Sequence, residues 1–238
     1  MYSKPQPGVL DGSVWVSTRD EASSAERVAA GVRAQLIVDL DSRRVLLVGP
    51  RTTSAVVQPA KRSAGVTLTG AGVYSIVGTD SGALVDNAVD VDAFIPAGRR
   101  GWLEEHATDV EALIRVLCSE YMPDPRVSYA ERELRGGTSA RDVARIVGMD
   151  RRTFVPLFRQ QIGLNPKTYE KLVRFTRTLE ALRTQTGRSL ASIAADRGFA
   201  DQAHLTREMR ALSGSTPSRL ARLPSGPLNH LPHDEQEG

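Results

Sequence analysis

Apolar residues in the first 80 positions come in short runs rich in β-branched side chains. Stretches 14–16, 35–40, 44–48, 55–57, 65–68 and 73–77 have this character, and turn formers such as Asp41-Ser42, Gly49-Pro50, Gly70 to Gly72 and Gly78 to Gly82 separate them. That spacing predicts the strands of a sandwich or barrel. The period lengthens over 100–121, where Trp102, Leu103, Val110, Leu113, Ile114 and Leu117 recur at near-helical intervals and predict a helix. Met122-Pro123-Asp124-Pro125 ends it, because proline lacks the amide donor and restricts the residue before it. Beyond Pro125 the pattern is helical throughout.

The helical half contains an internal repeat. Val143-Ala-Arg-Ile-Val-Gly148 recurs as Ile193-Ala-Ala-Asp-Arg-Gly198, and the run from Phe158 to Pro166 recurs from Met209 to Pro217 at an offset of 51. The same frame pairs Asp150 with Asp201 and Tyr169 with Leu220. Each copy reads as a helix with a small residue (Ala144 or Ala194) where another helix comes close, a glycine able to enter the left-handed region, and an aspartate N-cap opening a second helix. This is the pattern of a helix-turn-helix, whose second helix enters the DNA major groove. Between the copies, 166–182 predicts one connecting helix of roughly 25 Å. Such a rod can hold two recognition helices about one DNA turn apart.

Composition adds one asymmetry. The 238 residues sum to a net charge of +3, yet 126–222 carries 19 Lys and Arg against 9 Asp and Glu, a net of +10. Residues 1–125 are net −4, and the segment from Leu223 onward is net −3. A basic module joined to an acidic domain fits nucleic-acid binding. The single cysteine, Cys118, excludes an internal disulfide framework, and its apolar setting suits a small buried side chain. No apolar run reaches the ~20 residues of a membrane helix, and the first twelve residues do not read as a signal peptide, so a cytoplasmic location is expected.

The runs TSARDVARIVGMDRRTFVPLFRQQIGLNPKTYEKLVRFTRTLEAL and SLASIAADRGFADQAHLTREMRALSGSTPSRL resemble the AraC/XylS family of bacterial transcription regulators over Thr138 to about Arg222. More weakly, VLLVGPRTTS and LVDNAVDVDAF are similar to the sensor-like domain that precedes this module in some actinobacterial regulators. The chain departs from that pattern at Ala30-Gly31-Val32 and Leu68-Thr69-Gly70-Ala71, so no ligand role transfers to those segments. The expected architecture is α+β in two domains: a β-rich sandwich or barrel-like domain with a helix over 1–122, and an all-α domain with two helix-turn-helix motifs joined by a long helix over 126–223. A flexible acidic tail is expected over 224–238. The resemblance implies a sequence-specific regulator of transcription that touches RNA polymerase if it activates. The alternative is a broad-specificity DNA-binding protein without effector control.

On the second recognition helix Gln202, Ala203, His204 and Arg207 are the candidate base readers. Arginine pairs with guanine, glutamine with adenine, and alanine can lie against a thymine methyl. The matching positions of the first helix are Arg151, Arg152, Thr153 and Pro156. Proline there removes an intrahelical bond, which predicts either a kink or a first turn separate from 157–162. Arg151 and Arg152 are thus candidate base readers too, but are expected to touch mainly phosphate. Helix starts supply the other backbone candidates: Thr138, Ser139, Lys167, Arg188, Ser189 and Ser218. Arg174, Arg177 and Arg183 read as a solvated face of the connecting helix.

Catalytic and metal chemistry find no support. The four histidines are His106, His204, His230 and His233, none of them in the strand-rich region, so neither a metal nor a cofactor is expected. The first half has three readings: a small-molecule sensor, a homodimerisation domain, or both. Trp15, Tyr74, Phe94 and Trp102 could line an apolar pocket, although aromatic residues in such a domain usually form core.

Overall fold

The computed structural model describes residues 11, 14–19, 25–94, 109, 112, 121–185, 187–222 and 230–231. The helix predicted over 100–121, with Trp102 and Cys118, lies almost wholly outside the described residues. The N-terminal half contains strands β1 (Trp15–Thr18), β2 (Glu26–Val28), β3 (Ala34–Asp39), β4 (Val45–Val48), β5 (Ala55–Val57), β6 (Arg62–Leu68) and β7 (Ala88–Asp90). Five of them form an antiparallel sheet in the order β1-β6-β3-β4-β7. Alternation decides its buried face. Leu36, Val38, Leu47, Val66 and Leu68 pack against Val73, Ile76 and Val77 of helix α1 (Gly70–Val77). Gly65 pairs with Trp15 and has no room for a side chain, since a Cβ would lie 2.6 Å from both the Leu36 carbonyl and the Trp15 ring.

The structure departs from the sequence reading in three places. The predicted strand 73–77 is helical. Thr69 caps α1 by accepting the Gly72 N–H at 2.9 Å, and Gly78 ends it in the left-handed region with φ 67°. The helix is buried on nearly every side, so its sequence carries no amphipathic period. The short strands β2 and β7 fall in stretches with no apolar run. The tail expected to be flexible contributes β8 (His230–Leu231), which pairs with Val28 and Arg27; β2 thus lies between β5 and β8 in a second antiparallel sheet.

The C-terminal half is helical: α2 (Pro125–Gly136), α3 (Ala140–Ile146), α4 (Arg151–Ile162), α5 (Pro166–Thr184), α6 (Leu190–Asp196), α7 (Gln202–Ser213) and α8 (Pro217–Leu220). Its core is built on Phe154, Phe158, Tyr169, Phe175, Leu205 and Met209, with Phe158 edge-on to Tyr169 at 5.7 Å. The connecting helix α5 is continuous, opened by Pro166 in its first turn and capped by Asn165, which accepts the Thr168 N–H at 2.9 Å.

Packing crosses between the halves. Ala29, Ala30, Val32 and Ala71 belong to the helical core. Glu131 of α2, only 3% exposed, accepts the first amides of α1, Gly70 N–H at 2.8 Å and Ala71 N–H at 3.0 Å. It also accepts the Tyr169 hydroxyl at 3.0 Å and Arg135 Nη2 at 3.1 Å, and Arg135 extends its other arm to Asp11. Burial opposes the charge on Arg135, yet Tyr169, Glu131 and Asp11 together hold its pKa above the ordinary arginine value. Burial, then the Glu131 charge, push the Tyr169 phenol well above its usual value, so it remains a neutral donor. A buried carboxylate with this many donors has its hydrogen-bonding capacity met.

Candidate nucleic-acid interface

Each motif places a scaffold helix, a glycine turn and a recognition helix in sequence. Ser139 and Ser189 cap α3 and α6, accepting the Asp142 N–H at 3.1 Å and the Ser192 N–H at 3.2 Å. The turns contain Gly148 at φ 66° and Gly198 at φ 72°, the left-handed region where a side chain would be strained. Asp150 caps α4 by accepting the Arg152 and Thr153 amides at 2.9 and 3.0 Å and the Thr153 hydroxyl at 2.6 Å. That hydroxyl, followed by the amides, holds the Asp150 carboxyl below the usual aspartate range. Asp201 caps α7 by accepting the His204 N–H at 2.6 Å.

The second turn is one residue longer, with Gly198, Phe199 and Ala200 before Asp201 against Gly148 and Met149 before Asp150. The extra amide does not go unused, for Ala200 N–H donates to His204 Nδ1 at 3.3 Å. The other ring nitrogen of His204 stands 3.7 Å from Glu208, and the ring packs edge-on against Phe199. Glu208 in turn accepts Arg174 Nη2 on both carboxylate oxygens at 2.9 Å and Arg174 Nε at 3.2 Å, and that guanidinium lies 5.0 Å over the Phe199 ring. Arg174 is thus a brace between α5 and α7, not part of a solvated face. Arg177 donates to the Gly136 carbonyl at 3.0 Å, and burial lowers the pKa of Arg183.

The recognition helices bury matching residues. Phe154, Phe158 and Ile162 of α4 correspond to Leu205, Met209 and Ser213 of α7, and all are buried. The opposite faces are exposed: Arg151, Arg152, Pro156 and Arg159 in the first, Gln202, Ala203, Arg207 and Arg210 in the second. Among the described residues the side chains of Arg151, Arg152, Arg159, Arg207 and Arg210 make no ion pair or hydrogen bond. Arg159 and Arg210, absent from the sequence-based candidates, complete these faces; their 51-residue offset was the signal that could have found them. α4 runs unbroken from Arg151 to Ile162 with Pro156 inside, so its first turn is not a separate element. Pro156 lies on the exposed side, away from the packing of Phe154 and Phe158.

The backbone candidates divide. Ser218 is exposed in the first turn of α8, while Lys167, in the first turn of α5, pairs with Glu170 at 3.1 Å. Thr138 donates to Glu133, and Ser139 and Ser189 are engaged as caps. Arg188 is held by Asp196, Ser192 and Gln185. Among the described residues no group of His, Cys, Asp and Glu is placed to hold a metal, and no helix is long and apolar enough to cross a membrane.

Residues 143–222 match the helix-turn-helix domain family. The C-terminal domain is a double helix-turn-helix, and the protein is a DNA-binding regulator of transcription. No curated protein matches the chain. Among solved structures it is similar to ToxT from Vibrio cholerae O395, at 11% identity and TM-score 0.43, over 87% of this chain and 95% of that one. A structure of the same protein bound to (E)-4-(8-methylnaphthalen-1-yl)but-3-enoic acid is 10% identical, TM-score 0.42, over 90% of this chain and 98% of that one.

Proposed function

We propose that the protein reads a specific duplex site through two adjacent major grooves, with α7 selecting bases and α4 mainly clamping phosphate. The observation that carries this is the pair of matched exposed faces. Both bear arginines without partners among the described residues, but at the position where α7 offers Arg207, α4 offers Pro156. A guanidinium fork can pair with guanine O6 and N7, and a pyrrolidine ring cannot. Arg207, Gln202 and Ala203 are the base readers of this proposal. His204, occupied by Ala200 and facing Glu208, shapes the turn that presents them.

Phosphate contacts come from Arg151, Arg152 and the helix starts, and they position the protein without naming a sequence. Transcriptional control enters through the β-rich half, which is packed against both motifs, and the protein acts in the cytoplasm without catalysis. Selection of bound duplexes from a random pool tests the reading. The expected product is a site with strong base preferences in one half and weak ones in the other. Equal preferences in both halves would overturn the division between motifs, and none in either would favour a broad-specificity binder.

A further inference from the structure

The two recognition helices are gripped at their far ends, away from the exposed faces. Each stops at a left-handed glycine, Gly163 at φ 87° and Gly214 at φ 73°, and a helix end leaves carbonyls without intrahelical amides. In α4 the Gln161 carbonyl accepts the Ser81 hydroxyl at 3.0 Å. In α7 the Leu212 carbonyl accepts the Ala30 backbone N–H at 2.8 Å. Gln161 and Leu212 are the same position of the repeat, at the 51-residue offset, and both donors come from the β-rich half. The glycines meet that half too. A Cβ at Gly163 would lie 2.9 Å from the Ser81 carbonyl oxygen, and one at Gly214 would lie 2.8 Å from the Arg27 guanidinium.

The two donors are tied to each other by backbone. Ala30 precedes Gly31, which exchanges hydrogen bonds with Arg51 at 2.9 and 3.0 Å. Pro50, next to Arg51, accepts the Asp86 N–H at 2.9 Å, and Asp86 directly follows Val85, the C-cap of the single-turn helix that begins at Ser81. The Asp86 carboxylate takes the Thr52 N–H at 2.7 Å, cross-linking the same two segments. Ser81 and Ala30 are both buried.

We infer that the β-rich half is a spacing gauge: it holds the ends of the two recognition helices at one separation and thereby sets how many base pairs lie between the half-sites. The inference rests on the proposed DNA reading. The connecting helix joins the motifs along one side, and the Ala30–Ser81 yoke closes the other side. Adding one base pair moves a half-site by about 3.4 Å and turns it by roughly 35°, more than a yoked pair of helices can follow.

The test uses the full chain and duplexes taken from the random-pool selection, with the spacer lengthened or shortened by one base pair. The wild-type protein should lose about tenfold in affinity, the order of one lost base contact. Ser81→Ala combined with Ala30→Pro removes both donors and should cut that penalty below about threefold, because freed motifs follow the spacer. An unchanged penalty overturns the gauge. If the double variant does not melt cooperatively, Ser81→Ala alone decides by the same criterion. A second measurement needs no DNA: nitroxides on Gln160→Cys and Ala211→Cys, exposed and repeat-equivalent, in a Cys118→Ser background. Their distance distribution should be narrow and should broaden with Ser81→Ala; a distribution that does not change overturns the gauge. Should the wild type select no duplex, the DNA reading falls while the nitroxide distances still decide the gauge.

Discussion

At the seventh residue of its recognition helix the first motif has Leu157 and the second has Glu208. Leu157 packs against the helical core, whereas Glu208 takes the Arg174 guanidinium from the connecting helix. One residue earlier the pair is Pro156 and Arg207. So α4 is held by apolar packing and lacks one amide on its exposed side. α7 is held by a charged brace and keeps its ladder intact beneath its best hydrogen-bonding side chain. On the proposed reading the difference follows from what each helix does. Pairing a planar fork with a base edge needs a fixed orientation, while a phosphate oxygen can be reached from many directions. The repeat keeps the buried positions matched, and the two motifs differ on the exposed face.

The sharpest way to break this comparison is to remove the brace. Glu208→Ala leaves Arg174, with 27% of its side chain exposed, without its carboxylate, and should cost about 3 kcal/mol of stability. Leu157→Ala, at the matching position, should cost about 2 kcal/mol through lost burial. Chemical denaturation of both variants checks the pair. The two should also differ in function: among molecules still folded, Glu208→Ala should blur the base preferences and Leu157→Ala should leave them. Identical preferences in the two variants would remove the brace from the account of specificity.

Next in size is the exchange at the neighbouring position. Arg207→Ala should lose ~1–3 kcal/mol of discrimination at one base pair of the site. The reverse change, Pro156→Arg, restores an amide to α4 and gives it the reading fork it lacks. It should add a base preference of similar size in the weak half-site, about 1–3 kcal/mol, and raise the melting temperature, since an interior proline costs ~3 kcal/mol in a regular helix. Repeated selection with each variant would show whether the preferences follow the fork. A smaller effect is expected for Arg152→Ala. Binding should weaken evenly across sequences, and the slope of log affinity against log salt should fall by about 1, the value of one lost phosphate contact.

The double motif was legible in the sequence because its determinants are local. The glycines at positive φ, Asp150 and Asp201 at their caps, and the apolar spacing all act within one turn of the residues they fix. α1 was not legible for the opposite reason. Its first amides are satisfied by Glu131, about 60 residues away, and its valines and isoleucine, good strand formers, are buried on nearly every side. β8 pairs with β2 across some 200 residues, a contact that no window of sequence can contain. The exposed faces of α4 and α7 were half legible. Arg207 emerged from residue type and position, but the engagement of His204 by Ala200 and Glu208 depends on a turn geometry that the residue names do not reveal. Nothing local marks Ser81 or Ala30 as partners of the recognition helices.

The smallest expected effect concerns the acid behaviour of the α4 start. The Asp150 carboxylate accepts the Thr153 hydroxyl and two amides, and these lower its pKa from the ordinary 3.8. A carboxyl that is more acidic folded than unfolded contributes its stabilisation in full above the unfolded value, and loses it as pH falls through the folded value. The first turn of α4 should therefore stay capped at pH 4 and loosen only in stronger acid. The Arg152 and Thr153 amide resonances report this directly, and their chemical shifts should titrate with a midpoint below 3.8. In Asp150→Asn the midpoint should vanish while the α4 start remains formed, because asparagine still accepts from the same amides. Amide shifts that titrate in the Asn variant just as they do in the wild type would show that another group governs the helix start. The cap would then be set by the turn backbone alone, and the difference between the motifs would lie entirely in Pro156 and Leu157.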